Sequence, residues 1–127
     1  MQSRRIGKEG EAFAACFLEH KGYAILDRNY HSPYGEIDII AADGRYIVFV
    51  EVKTRREGSI VFPAQAVTLA KQRKILLTAM LYLQAYPTKL QPRFDVIEIT
   101  THNSMFRMEG ITHLENAFQL EEKHGIF

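Results

Sequence analysis

Apolar positions recur along this chain with two different periods, and the switches between them predict an order of elements. Ile6, Phe13, Cys16, Phe17 and His20 fall near one face at 3.6-residue spacing, which predicts a helix over residues 7–21 that stops at Gly22. Residues 23–29 read as a short strand and residues 31–35 as a loop. Two nearly continuous apolar runs follow, over 36–41 and 46–53, as expected of strands covered on both faces. Asp43-Gly44 between them is a hairpin signal, since a tight turn needs the positive φ that glycine tolerates. After a loop over 55–66 containing Gly58 and Pro63, a second helix is predicted over 68–85. Thr68 is its N-cap, Leu69, Leu76, Met80 and Leu83 its buried stripe, and Pro87 forbids continuation. Residues 93–100 read as a strand, 106–112 as an edge strand, and 116–127 as a helical or frayed tail. The order α, β, β, β, α, β, β predicts an α/β fold with one mixed central β-sheet flanked by helices. No repeat or linker divides the chain, so residues 1–127 read as a single domain.

The apolar pattern breaks where charges enter the two runs: Asp38 in the first, Glu51 and Lys53 in the second. Residues two apart on a strand share a face, so Glu51 and Lys53 point the same way. A hairpin turning at Asp43-Gly44 sets Asp38 opposite Phe49 and Glu36 opposite Glu51. Asp38 then lies diagonally beside Glu51, roughly 7–8 Å away between Cα atoms. Two adjacent carboxylates in a twice-covered hairpin cost free energy through repulsion and desolvation, which exposed surface charges would not. A divalent cation relieves that cost, and oxygen ligands suit Mg²⁺ or Mn²⁺. Lys53 can orient an activated water or stabilise charge growing on a phosphate, so phosphodiester hydrolysis is the reaction this set suits best. Glu36 is open between a further ligand, a loop-holding role and a pair with an arginine. The five histidines show no metal-ligand spacing.

Composition changes this picture in two places. A hydrophobic share of 46% against 24% charged is an ordinary globular mixture, unlike a disordered chain. The net charge of +1 argues against a polyanionic partner, but its distribution argues for one. Between residues 53 and 74, Lys53, Arg55, Arg56, Lys71, Arg73 and Lys74 face only Glu57, a local charge of +5. Polyanion binding depends on such a patch, because charges beyond about 10 Å are screened. Arg55 and Arg56 follow the catalytic lysine and are expected on phosphate. Lys71 and Lys74 share a helix face and Arg73 lies on another, where a solvated face explains them as well as phosphate contact does. Such contacts position nucleic acid without reading its sequence. No apolar run approaches the roughly 20 residues of a membrane span, and no apolar stretch follows the first residues, so a reducing cytoplasm is the expected home. Cys16 has no disulfide partner and is expected in the core.

The spacing Asp38-x₁₂-Glu51-x-Lys53 resembles the PD-(D/E)XK nuclease signature, also found in archaeal Holliday-junction resolvases and restriction endonucleases. More closely, the chain is similar to the bacterial YraN-like family of predicted endonucleases. The matching pieces are Gly7-Lys8-Glu9-Gly10-Glu11-Ala12, Arg28-Asn29, residues 35–41, residues 48–55, Ala66-Val67-Thr68 with Lys71-Gln72-Arg73, Arg93-Phe94-Asp95-Val96 and Asn116-Ala117-Phe118. Ile37 stands where the signature's name has proline. The resemblance implies a restriction-endonuclease-like fold and a metal set of Asp38, Glu51, the Val52 backbone carbonyl and Glu11, the last matching a first-helix acid of resolvase-like members. Read from the residues alone, Glu11 is equally a solvated helix charge. The resemblance favours DNA over RNA, branched or structured DNA included, and admits a homodimer. Two rivals stand beside the nuclease reading. One is a non-catalytic nucleic-acid-binding module on the same fold. The other is a protein-interaction factor anchored by Tyr82, Tyr86 and Phe127.

Overall fold

The computed structural model describes residues 2–58, 67–103 and 105–119, with side chains from residue 7 onward. The Ile6 side chain, the Pro63 loop and the tail that ends at Phe127 lie outside the described residues. The elements run α1 (Gln2–His20), β1 (Ala24–Ser32), β2 (Gly35–Ala42), β3 (Tyr46–Arg56), α2 (Leu69–Ala85), β4 (Gln91–Thr101) and β5 (Ile111–Phe118), the order that the two periods predict. All five strands form one sheet in chain order, antiparallel throughout except for the parallel pair β3–β4. Helix α2 supplies the crossover that a parallel pair requires. Alternate residues of β3 feed two cores. Ile47 and Phe49 join Ile75, Leu76, Ala79 and Tyr82 of α2, while Val48 and Val50 join Ala14, Ala15 and Leu18 of α1. Cover on both faces is why the hairpin strands read as unbroken apolar runs. No helix among the described residues is long and apolar enough to cross a membrane.

Helix α1 buries a different stripe from the one its largest side chains mark. Ala14, Ala15 and Leu18 are buried and Phe13 and Phe17 half-buried, whereas Cys16 and His20 are exposed. Cys16 is therefore a surface thiol and not a core residue. The reason is close approach to the sheet: a Cβ added at Gly10 would lie 2.2 Å from Thr54 Oγ1. The helix rests on β3 through its smallest residues, and the phenyl rings flank the contact, Phe13 against Phe106 with centroids 5.5 Å apart. Gly22, at φ +98°, ends the helix as expected, its N–H donating to the Glu19 carbonyl at 3.0 Å.

Thr68 caps α2, its hydroxyl accepting from the Lys71 N–H. The buried stripe is Ile75, Leu76, Thr78, Ala79 and Tyr82, with Leu83 packed against it. Leu69, expected in the buried stripe, is exposed instead. Strand β1 continues through the expected 31–35 loop to Ser32, whose hydroxyl meets Thr78 Oγ1 at 2.7 Å. The expected edge strand over 106–112 begins later, since a 3-10 turn over Met108–Gly110 precedes β5.

Candidate active site

The hairpin register decides which groups meet. Strands β2 and β3 pair through Ile39↔Val50, Ile40↔Phe49, Ala41↔Val48 and Ala42↔Ile47, two residues away from the register expected of an Asp43-Gly44 turn. The Asp43 carboxylate accepts the N–H groups of Arg45 (2.8 Å) and Tyr46 (2.7 Å), and the Asp43 N–H donates to the Tyr46 carbonyl. This side-chain cap makes Gly44 and Arg45 the turn residues, and Gly44 needs no positive φ. Continued by one step, the register sets Asp38 directly across from Glu51 and moves Glu36 outward, where its carboxylate meets the exposed His31 ring at 3.2 Å. Glu36 is therefore not the residue opposite Glu51. A slip of two preserves side-chain parity, so the shared face of Asp38 and Glu51 survives the error. The ladder ends at Ile39↔Val50, and the Val52 N–H donates to Asp38 Oδ2 at 2.8 Å in place of a strand partner.

Asp38 and Glu51 are only 7% and 6% exposed. Burial first, and then the charge of Glu51, push the Asp38 carboxyl up to about 7 despite the Val52 N–H. Helix α1 brings Glu11 within electrostatic reach of both. Burial raises the Glu11 carboxyl, a hydrogen bond from Asn29 and the charge of Arg28 draw it down, and Glu36 and Glu51 push it up again. Asn29 sits within β1 at φ +54°, a conformation that costs asparagine less than most residues. Its role at Glu11 is not legible in the sequence beyond its place in the Arg28-Asn29 motif.

Two lysines complete the cluster on one oxygen: Lys53 Nζ lies 3.5 Å and Lys71 Nζ 2.7 Å from Glu51 Oε1. Burial lowers the Lys53 ammonium, and the neighbouring Lys71 lowers it further. Burial draws Lys71 down, but its bond to Glu51, its contact with Lys53 and the charges of Glu51 and Asp38 together leave it raised. Lys71 thus carries the charge that balances Glu51, and Lys53 is the lysine that yields its proton more readily. Sequence reading set Lys71 beside Lys74 on an outer helix face. The Thr68 cap that the sequence marks fixes the first turn of α2 and with it the backbone of Lys71, but nothing local in the sequence shows that this turn faces Glu51.

The remaining basic residues separate. Arg55 is tied at 2.8 Å to Glu98, which is 4% exposed, so its guanidinium holds a buried carboxylate. Burial raises Glu98, and its second oxygen Oε2 is buried without a hydrogen-bond partner among the described residues. Arg56, Arg73 and Lys74 are exposed, as a phosphate-contacting surface requires. Arg93 and Asp95 form a separate knot: the guanidinium binds both Asp95 oxygens (2.9 and 2.8 Å) and the Tyr23 hydroxyl, while His113 Nε2 and the Asn116 N–H complete the carboxylate. A cavity of about 510 Å³ at the start of β3 is lined by Tyr46, Arg93, Glu115 and Asn116 and does not include Glu51.

Among the described residues, no three His, Cys, Asp or Glu side chains stand grouped as a ready metal cluster. Asp38 and Glu51 nonetheless form a buried carboxylate pair that draws a cation, and Lys71 stands there as one. Hard oxygen donors of this kind fit Mg²⁺ or Mn²⁺. Asp38 and Glu51 would hold the ion; Glu11 stands within their electrostatic reach, and the Val52 carbonyl is the further ligand that the resemblance implies.

Comparison with known proteins bears on the whole of this cluster. The family described as "Uncharacterised protein family UPF0102" matches residues 10–99, a span that holds Glu11, Asp38, Glu51, Lys53 and Lys71. A UPF0102 protein of Chlorobium phaeobacteroides is 48% identical over 118 residues, covering 89% of this chain and 93% of its own. One of Syntrophotalea carbinolica is 44% identical (94% and 96% covered), and one of Caldanaerobacter subterraneus is 41% identical (93% and 98% covered).

Proposed function

We propose that this chain, which belongs to the UPF0102 family, is a nuclease of the PD-(D/E)XK type on a restriction-endonuclease-like fold, hydrolysing phosphodiester bonds of nucleic acid, DNA ahead of RNA. The observation that carries this reading is the convergence of two buried carboxylates and two lysines where the β2–β3 ladder ends. A bound Mg²⁺ or Mn²⁺ would supply Lewis acidity, neutralising phosphate charge and acidifying water. Asp38 is held for that task by the Val52 N–H, which fixes one oxygen and leaves the other for a cation. Lys53 sits beside Glu51, where its ammonium can orient an attacking water and stabilise charge growing on the phosphate. Exposed Arg56, Arg73 and Lys74 would steer the polyanion toward the pair.

The deciding experiment screens duplex, single-stranded, flap and four-way-junction substrates with Mg²⁺ or Mn²⁺, using Asp38→Asn and Lys53→Ala as controls. Metal-dependent cleavage that both variants lose supports the reading. Binding of these substrates without cleavage of any would make the chain a non-catalytic binding module. Absence of both would turn attention to protein partners.

A further inference from the structure

We propose that Lys71 is the internal cation of this site: its ammonium occupies Glu51 until a divalent ion takes that place, and it is then released toward the substrate phosphate. The phosphate half of the inference rests on the nuclease reading; the competition for Glu51 does not.

The geometry sets up the competition. Glu51 is 6% exposed, so water cannot compensate its charge, and its Oε1 is met at 2.7 Å by Lys71 and at 3.5 Å by Lys53. One oxygen of Asp38 across the hairpin is already engaged by the Val52 N–H. A divalent ion held between Asp38 and Glu51 would bring two positive charges to the oxygen on which Lys71 rests, and the two cations repel at that distance. Lys71 is the one able to leave. Its side chain is 41% exposed against 28% for Lys53, and it reaches in from the first turn of α2 on a flexible four-carbon stem. Its backbone stays pinned by Thr68, so the released ammonium remains beside the site.

Charge makes the release useful. Asp38, Glu51 and Glu11 set three carboxylates against two ammonium groups. The two lysines together offset two of those three charges, and Lys71, in the shorter contact with Glu51, makes the ion-free site tolerable. Once the ion has arrived, the freed lysine becomes surplus positive charge that an incoming phosphodiester can neutralise. Ion and nucleic acid should therefore bind with mutual reinforcement, and Lys71 should carry the coupling.

The test measures Mn²⁺ binding by calorimetry or electron paramagnetic resonance, without nucleic acid, for the wild type, Lys71→Met and Lys71→Arg. Removing a charge this close should tighten Mn²⁺ binding by at least about tenfold in Lys71→Met, while Lys71→Arg stays near the wild type. In Ca²⁺, which serves to hold substrate uncut, the ratio of duplex affinity with the ion to that in EDTA should be smaller in Lys71→Met than in the wild type. Lys71→Gln replaces Lys71→Met should the latter fail to fold, and a larger Mn²⁺-induced rise in melting temperature than in the wild type checks the same competition. Equal or weaker Mn²⁺ binding in a folded Lys71→Met or Lys71→Gln protein overturns the inference, as does no Mn²⁺ binding by any form. Tighter Mn²⁺ binding in Lys71→Met with no cleavage by the wild type would sink the nuclease reading alone; equal affinities in a protein that cuts would sink this inference alone.

Discussion

Asp38 is the residue on which ionisation, folding and chemistry meet. Its carboxyl is raised to about 7 from the ordinary 3.8, chiefly by burial. A raised acid stabilises the fold fully below its unfolded value and loses that contribution as pH climbs through the folded one. The ion-free protein should therefore lose stability between about pH 4 and 7 on account of Asp38. Asp38→Asn keeps an oxygen for the Val52 N–H and carries no charge. Melting in EDTA should show it several degrees more stable than the wild type at pH 8, with the gap narrowing through pH 5 and closing near pH 4; equal destabilisation at pH 8 and pH 4 would make the carboxylate a structural group. Lys53 poses a different question, because its effect should lie in the transition state. Lys53→Ala should lower single-turnover rate by about 10²–10³, as loss of an electrostatic stabiliser does, with nucleic-acid affinity in Ca²⁺ little changed. Lys53→Arg should rescue poorly, since a planar guanidinium cannot replace a compact ammonium. Full activity in Lys53→Arg would reduce the lysine to a phosphate anchor.

At the scale of elements, the site depends on how closely α1 lies on β3. Gly10 against Thr54 sets that distance, and Glu11 follows it in the chain. Gly10→Ala should destabilise by about 1–3 kcal/mol through overpacking, against a helix-propensity gain of about 1 kcal/mol. Thr54→Ala should recover most of the loss, and a double-mutant cycle of melting free energies measures that coupling. Additive effects would show that the helix does not rest on this contact. The same scale shows what local pattern could and could not carry. The strand runs, the Thr68 cap and the Gly22 stop are legible because each is written within a few consecutive residues. The buried stripe of α1 is not, because hydrophobicity marks the phenylalanines whereas close packing selects glycine and alanine.

For the whole molecule, charge that is one patch along the chain becomes three groups in space. Lys53 and Lys71 turn inward to Glu51, Arg55 holds Glu98, and Arg56, Arg73 and Lys74 face solvent. Paired Arg56→Ala and Lys74→Ala changes should flatten the log-affinity against log-salt slope by about 0.7–0.9 for each phosphate that is no longer neutralised. Arg55→Ala should leave that slope unchanged and instead cost roughly 1–3 kcal/mol of stability, because it strands a buried carboxylate. A slope that responds to Arg55 and not to Arg56 with Lys74 would put the nucleic acid on a different surface. What the sequence determined by itself was whatever rests on periodicity and parity: the order of the elements, the apolar hairpin, and the shared face of Asp38, Glu51 and Lys53. Parity is robust, since a register slip of two residues leaves every side chain on its face. The tertiary structure alone decided that the hairpin register brings Asp38 beside Glu51 where the ladder ends, that Glu11 comes within their field, and that Lys71 closes on Glu51. Those arrangements depend on a side-chain cap in the turn, on a helix seated by its smallest residues, and on a crossover returning α2 to the sheet. Each joins residues far apart in the chain, where no local pattern records the distance.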